Sequence, residues 1–297
     1  MSIQEVGLSD MSIQQQRRTN FTEKLNGVHR VQPELSMWRI RQSIPRRIYI
    51  ALAVLGFAAV LLLWWITSLS GYYDSVFVPS PKTVAQVTVQ LFQSPTLWTD
   101  IGASFTRVII GFIISAVIAI PVGLLIGTFR PIEAFTQPFT EFVRYIPVPA
   151  LIPILMVLFG IGETPKWMLI FVGTYFQLVL MVADEVRRIP LPLVQVAQTL
   201  GATSSEIVNR VLWRAAMPGI FDALRLCHGW AWTYVIVAEL VAADQGLGFR
   251  ILKFSRYLQT PKIWVYLILL GIIGLTLDIA FRRLNAHLFR WADTSKR

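Results

Sequence analysis

The chain has 297 residues, of which 55% are hydrophobic and only 15% are charged, and its formal net charge at pH 7 is +10. Soluble domains carry about 25% charged residues, so this composition excludes a soluble globular protein. One cysteine and three histidines exclude a disulfide framework, a cysteine-rich zinc site and an iron–sulfur cluster, and we predict no cofactor. Because the basic residues gather at the ends of apolar runs, the positive charge indicates a membrane surface as the partner and not nucleic acid.

The first 47 residues form a polar, basic arm that we place in the cytoplasm. The arm is too long and too polar to be a cleaved signal peptide, so the first span is expected to be retained. The tetrapeptide MSIQ occurs at both Met1 and Met11, which leaves either methionine open as the true start. Residues 287–297 form a second basic segment, a cytoplasmic tail.

Three uncharged runs predict membrane-spanning helices, since about 20 apolar residues cross a hydrocarbon core. These runs are residues 48–69, 108–128 and 167–183. Three less regular spans follow the same reasoning: a proline-broken stretch over 136–160, one over 223–242 that contains Glu239, and one over 263–281 that contains Asp278. The sequence therefore predicts an all-α integral membrane protein with six transmembrane helices and both termini in the cytoplasm.

The connection between the fifth and sixth spans is basic although the alternation of sides places it outside the membrane. Its basic residues are Arg250, Lys253, Arg256 and Lys262. Two explanations are open: the side chains reach the interface or pair with Asp244, which we prefer, or they attract anions towards the protein.

The connection between the fourth and fifth spans, residues 189–219, contains a helix-like pattern. Apolar residues recur at spacings of three and four, which predicts one face of a short helix: Leu193, Val196, Ala197 and Leu200. Gly201 is expected to end this helix, and Ser204 and Ser205 to cap the next one near Glu206. By periodicity alone the helix could dock on a cytoplasmic partner or lie on the lipid surface.

A resemblance favours docking. The stretch QVAQTLGA from Gln195 to Ala202, followed by RAAMPG from Arg214 to Gly219, resembles the EAA loop of permease subunits in binding-protein-dependent ATP-binding-cassette (ABC) importers. Five further stretches resemble the nitrate/sulfonate/taurine/bicarbonate branch of that family: FVPSPKTV at 77–84, SFTRVIIGF at 104–112, FGIGETPK at 159–166, AELVAADQGLGFRI at 238–251 and IGLTLD at 273–278. The similarity covers about residues 77–291.

The resemblance implies a type I ABC importer permease domain over residues 100–286, with a cytoplasmic coupling loop at 189–218. It implies an ATPase-coupling set of residues: Gln195, Val196, Ala197, Leu200, Gly201, Ala202 and Pro218. Gln195 stands where the family usually has Glu and Val196 where it has Ala, so a hydrogen bond would replace a salt bridge to the ATPase.

The implied partners are two cytoplasmic ATPases, a periplasmic or lipid-anchored solute-binding protein, and a second permease subunit that makes a homodimer in a bacterial inner membrane. The chain has no Gly-x-x-x-x-Gly-Lys-Ser/Thr loop, so ATP hydrolysis is expected on a separate subunit and the chain is not itself an enzyme. The implied solute is a small anion such as nitrate, bicarbonate, taurine or another sulfonate.

Polar and proline residues at membrane depth mark a candidate translocation path, because irregular backbone there must line protein or a cavity. The path candidates are Arg144, Tyr145, Pro147, Pro149, Trp230 and Glu239. A kinked helix packed on its neighbour, with Arg144 reaching the headgroups, is an equal alternative. A different class of function, a membrane-embedded enzyme or scaffold, would use Glu239 and Asp278 as its carboxylates.

Overall fold

The computed structural model describes residues 44–72 and 74–292, and within these ranges the chain forms helices and no strands. Contacts divide the chain into two units, residues 1–62 and 63–297, and the packing described below lies within the second unit.

Eleven α-helices, one 3₁₀ turn and one π-helical stretch make up these described ranges. In chain order they are α1 (Arg46–Leu69), α2 (Pro81–Phe92), α3 (Pro95–Thr128), α4 (Arg130–Arg144), the 3₁₀ turn Val148–Leu151, α5 (Ile152–Phe159), α6 (Thr164–Arg187), α7 (Leu191–Thr199), α8 (Ser204–Glu206), the π-helical stretch Ile207–Leu212, α9 (Trp213–Ala242), α10 (Leu247–Arg256) and α11 (Thr260–Leu288).

Four described helices are long and apolar enough to cross a membrane, namely α1, α3, α6 and α11. A fifth span results if α4 and the Val148–Phe159 segment count together, and these two are bent by 92° where the sequence predicts a proline-broken stretch. The 30-residue helix α9 contains the predicted fifth span but falls outside that count, so six spans stay a prediction.

Helices α3 and α6 form the centre of the fold, and glycines let them approach closely. A Cβ atom on Gly123 would lie 2.7 Å from the carbonyl oxygen of Val179, and one on Gly127 would lie 2.7 Å from Cβ of Val186. The spacing of the two glycines predicts a close helix contact, either within the subunit or with a second copy. The contact is within the subunit.

Helix α9 packs against α6 and α3 and carries the Cys227–His228 pair into the core. Cys227 is fully buried, and the His228 ring lies 5.2 Å from the rings of both Phe112 and Phe281. The prediction that these two residues serve packing is confirmed.

Helix α3 is longer than a membrane crossing requires. Its 34 residues span about 51 Å at 1.5 Å per residue, against a hydrocarbon core of about 30 Å. The helix therefore extends beyond the hydrocarbon core. Its uncharged run begins only at Val108, so its first turns are the part that can carry polar side chains, including Asp100, Ser104 and Arg107.

Candidate functional sites at the two ends of the helix bundle

The segment between α6 and α9 forms the predicted short helix with a glycine stop. Helix α7 ends at Thr199, and Gly201 has a φ of +81°, a left-handed conformation that glycine adopts without a Cβ clash. The N–H of Gly201 donates to the Gln198 carbonyl at 2.9 Å and that of Ala202 to the Ala197 carbonyl at 3.0 Å. These bonds close the helix in the manner of a glycine C-cap, which confirms Gly201 as the end of the helix.

The next helix begins with a different cap from the one expected. Thr203, and not Ser204 or Ser205, is the N-cap: its hydroxyl accepts a hydrogen bond from the Glu206 N–H at 3.3 Å, and its own N–H donates to the Glu206 carboxylate at 3.0 Å. Thr203 is the cap because a capping box requires Glu or Gln three residues later, and Glu206 stands at that position only for Thr203. The Thr203 N–H lowers the pKa of Glu206 below its usual value.

Most of the apolar face predicted for α7 is exposed. The exposed fractions of Leu193, Val196 and Leu200 are 45%, 59% and 82%, whereas Ala197 is half-buried. Gln195 is exposed beside them, Ala202 is half-buried, and Pro218 lies half-buried inside α9. The segment therefore presents an apolar surface that packing within the described chain leaves uncovered.

A cavity of about 600 Å³ separates this segment from the C-terminal ends of α3 and α6. Gln198 and Ile207 line one side, and Gly127 and Arg187 line the other. Arg187 is held by Glu133 at 3.0 Å and by Asp184 at 3.1 Å. The coupling candidates thus lie at the end of the bundle where α3 and α6 finish.

The opposite end of the bundle holds a mostly buried group of charges that we call the ion-pair cluster. Its members are Asp100, Arg107, Glu163, Lys166, Glu239 and Arg250. Arg107 is 1% exposed and binds the Glu163 carboxylate with two parallel hydrogen bonds of 2.6 and 2.7 Å. Its Nη1 also donates to Glu239 at 2.8 Å and to the Gln245 carbonyl at 2.7 Å.

Three consecutive backbone N–H groups complete the cluster. The N–H of Gly246 donates to Asp100 at 2.9 Å, that of Leu247 to the Ser104 hydroxyl at 2.9 Å, and that of Gly248 to Glu239 at 2.8 Å. Gly246 has a φ of +123°, and a Cβ there would meet the Glu239 carboxylate. The turn before α10 therefore requires glycine both for its conformation and for space.

Arg250 and Glu239 have other surroundings than the sequence suggests. Arg250 pairs with Asp100 at 2.7 Å and not with Asp244. Glu239 is fully buried and also accepts a hydrogen bond from Ser104 at 2.7 Å, so its carboxylate does not face an aqueous cavity, contrary to expectation. The two bases that hold these carboxylates, Arg107 and Arg250, satisfy them inside the subunit.

Four residues that build the cluster are not assigned to any site by the sequence analysis: Asp100, Ser104, Arg107 and Glu163. The family resemblance was a signal for three of them, because the stretch 104–112 contains Ser104 and Arg107 and the stretch 159–166 contains Glu163. Glu163 precedes α6, outside the spanning segments. The hydrogen bonds from Arg107 and from Lys166 lower its pKa to about 2, against an opposing effect of burial.

Four of the six path candidates, Arg144, Tyr145, Pro147 and Pro149, lie on the bend between α4 and α5. Arg144 is the last residue of α4 and exposed, and its guanidinium donates to the Tyr145 hydroxyl at 3.2 Å. Pro147 caps the 3₁₀ turn and Pro149 lies within it. Trp230, from α9, lines the same small pocket as Arg144. The structure thus brings Arg144 and Trp230 together and leaves Glu239 elsewhere.

Asp278 belongs to a separate ion pair. Its carboxylate pairs with Arg225 and with Arg282, both at 2.8 Å, and Arg282 lies four residues further along the same helix. Arg225 and Glu239 are both on α9, fourteen residues or about 21 Å apart. Glu239 and Asp278 are therefore each paired with bases in different places, which removes the support for a shared carboxylate site.

Comparisons with known proteins agree with this architecture. The family described as "Binding-protein-dependent transport system inner membrane component" matches residues 119–293. A probable ABC transporter permease protein of Brucella abortus is 34% identical over 244 residues, 82% of this chain and 96% of that protein. The taurine transport system permease protein of Escherichia coli K12 is 27% identical over 266 residues, 88% of this chain and 97% of that protein.

A bicarbonate transport system permease protein of Synechococcus elongatus is 33% identical over 255 residues, 82% of this chain and 89% of that protein. Among solved structures, the inward-facing MetNI methionine ABC transporter has a TM-score of 0.59 at 24% identity and covers 66% of this chain and 98% of its own, which shows the fold. The chain is a multi-pass membrane protein of the binding-protein-dependent transport system inner membrane component family, the permease component of an ABC importer.

Proposed function

We propose that this permease forms the path for a small anion, of the class that includes nitrate, bicarbonate, taurine and other sulfonates, across a bacterial inner membrane. Two cytoplasmic ATPases drive it, an external binding protein delivers the solute, and a second copy of the chain completes the path. The relatives named for taurine and for bicarbonate support this solute class, because both solutes carry an oxyanion.

The exposed apolar face of α7 is the observation that carries the ATPase contact. Leu193, Val196 and Leu200 would cost free energy if left in water, since burial of apolar surface is worth about 25 cal/mol per Å². A groove on another protein would cover them. Gln195 lies beside this face with its amide free to hydrogen-bond across such an interface.

The proposed contact with the ATPases puts the segment 189–218 in the cytoplasm. The proposed domain order is an arm over residues 1–47, a first span over 48–69, a permease domain over 100–286 and a tail over 287–297, with both termini also in the cytoplasm. The ion-pair cluster then faces outwards, where the binding protein docks. A reporter active only in the cytoplasm should work when fused at Arg188 and fail at Gln245, and activity at Gln245 alone would invert the topology.

Gly201 offers the direct test of coupling. Its φ of +81° strains any residue with a Cβ, and no other atom lies within 4 Å of where that Cβ would be. Gly201→Val should therefore distort only the end of α7, at a cost of about 1–2 kcal/mol, and leave insertion into the membrane intact. We expect loss of ATPase co-purification with the permease still present.

Gly201→Asn is the matched control, because asparagine tolerates the left-handed region far better than valine does. It should retain more of the ATPase than Gly201→Val. Normal ATPase binding by Gly201→Val would show that 195–218 is not the coupling element.

A further inference from the structure

A small pocket lies on the inner side of the bend between α4 and the 3₁₀ turn. Its volume is about 50 Å³, and α6 and α9 supply its other walls. Four of its lining residues can donate hydrogen bonds: Arg144, Gln177, Trp230 and Tyr234. None of the residues that line it is acidic. Donors without carboxylates suit an anion and not a cation.

Arg144 has no carboxylate partner among the residues that the structure describes. Its guanidinium stacks at 5.1 Å from the centroid of the Tyr145 ring and donates one hydrogen bond to the hydroxyl of that residue. The basic residues of the ion-pair cluster, by contrast, each bind at least one carboxylate. Arg144 therefore keeps most of its five donors available for a ligand.

The position of Arg144 makes this availability significant. Arg144 is the last residue of α4, which together with the Val148–Phe159 segment forms one candidate span, and it lies at the 92° bend between the two. A cation and an interrupted helix at membrane depth are costly unless they face protein or water. An anionic group bound at the bend would neutralise the cation.

A glycine on α6 allows the α9 side of the pocket to pack closely against α6. A Cβ on Gly173 of α6 would lie 2.6 Å from the ring of Tyr234, so the ring packs directly onto the backbone of α6. Trp230 lies one turn earlier on α9 and is 43% exposed. Trp230 and Tyr234 are therefore the residues through which α9 lines the pocket.

We propose that this pocket is an oxyanion-binding subsite on the permease itself, which selects the charge of the solute during passage. The guanidinium of Arg144 would bind two oxygens of a sulfonate, nitrate or bicarbonate in its planar fork, and Gln177, Trp230 and Tyr234 would add single hydrogen bonds. The volume admits one oxyanion group, and the remainder of a larger solute stays outside the pocket. This inference rests on the proposed function, since it assumes an anion as the solute.

The test measures charge preference without requiring transport. Trp230→Cys is placed in a Cys227→Ala background, and the full chain in membrane vesicles is treated with two thiosulfonate reagents, one carrying a sulfonate and one a quaternary ammonium. We expect faster modification by the sulfonate reagent. Arg144→Gln should lower the anion-to-cation rate ratio by about tenfold, because one positive charge near the thiol is lost.

Competition and a conservative variant separate binding from simple attraction. Taurine, nitrate or bicarbonate should slow the sulfonate reagent when Arg144 is present and have no effect in Arg144→Gln. Arg144→Lys keeps the charge but loses the fork, so it should retain the rate ratio while protection by the three anions weakens.

Leu226→Cys is the matched control. Leu226 is one turn from Trp230 on α9, is 47% exposed and does not line the pocket, so its rate ratio should not depend on Arg144. An equal dependence at Leu226, an unchanged ratio in Arg144→Gln, or complete inertness of Trp230→Cys would each overturn the subsite. A chain that keeps the Arg144-dependent preference but binds no ATPase and transports none of the three anions would overturn the proposed function alone.

Discussion

Replacing Arg107 by methionine should destabilise the protein far more than replacing an exposed arginine. The substitution keeps a long, flexible side chain but removes four hydrogen bonds, two to Glu163, one to Glu239 and one to the Gln245 carbonyl. Glu239 would then be a fully buried carboxylate with only Ser104 and the Gly248 N–H as partners.

The magnitude follows from burial. Removing one partner of a buried ion pair costs about 3–5 kcal/mol, because the remaining charge stays desolvated. An exposed pair contributes about 0–1 kcal/mol. Arg282, whose side chain is 55% exposed in its pair with Asp278, supplies the matched exposed control.

Thermal unfolding of the detergent-solubilised permease measures the difference. Arg107→Met should lower the melting temperature strongly, and Arg282→Met should leave it close to that of the parent protein. Adding Glu239→Gln to Arg107→Met should restore part of the loss, because the uncompensated negative charge is removed. Equal shifts for Arg107→Met and Arg282→Met would refute the assignment of the ion-pair cluster as a stabilising centre.

Acid should weaken the cluster through Glu163, whose folded pKa of about 2 lies below the ordinary glutamate pKa of 4.5. The resulting stability is complete above pH 4.5 and is lost as the pH falls towards 2, so melting temperatures recorded across this window should fall less steeply in Glu163→Gln than in the parent. Gly123→Val should lower the free energy of unfolding by about 1–3 kcal/mol, because a Cβ there would lie 2.7 Å from the Val179 carbonyl oxygen and would force α3 and α6 apart. Gly102→Ala, on the same helix with no atom near the new Cβ, should be tolerated, and equal melting of the two variants would contradict the packing.

The local features of the fold were predictable because they depend on neighbouring residues. Gly201 ends α7 since only glycine adopts its conformation cheaply, and the prolines at 147 and 149 interrupt the span where they remove backbone donors. The start of α8 was predicted near Glu206, two residues too late, because Ser204 and Ser205 compete with Thr203 as caps. Thr203 is the cap because only it lies three residues before Glu206, whose carboxylate accepts a hydrogen bond from the Thr203 N–H.

The partners of buried charges were not predictable, because they join distant parts of the chain. Glu239 in an apolar stretch requires a partner, but nothing local indicates Arg107, which lies 132 residues earlier. Arg250 has Asp244 nearby in sequence, yet its guanidinium binds Asp100 on α3 at 2.7 Å. The sequence predicts Arg144 and Trp230 each as a residue of the path. It does not predict that they line the same pocket, because 86 residues separate them.

The composition of the ion-pair cluster bears on how the membrane voltage acts on the protein. With its side chains ionised, Arg107, Lys166 and Arg250 balance Asp100, Glu163 and Glu239, so the cluster carries no net charge. The membrane potential does work of about 2.3 kcal/mol per elementary charge per 100 mV on a group that moves across it. A neutral group that moves as one body contributes no gating charge, so a movement of the cluster as a whole does no net work against the membrane potential.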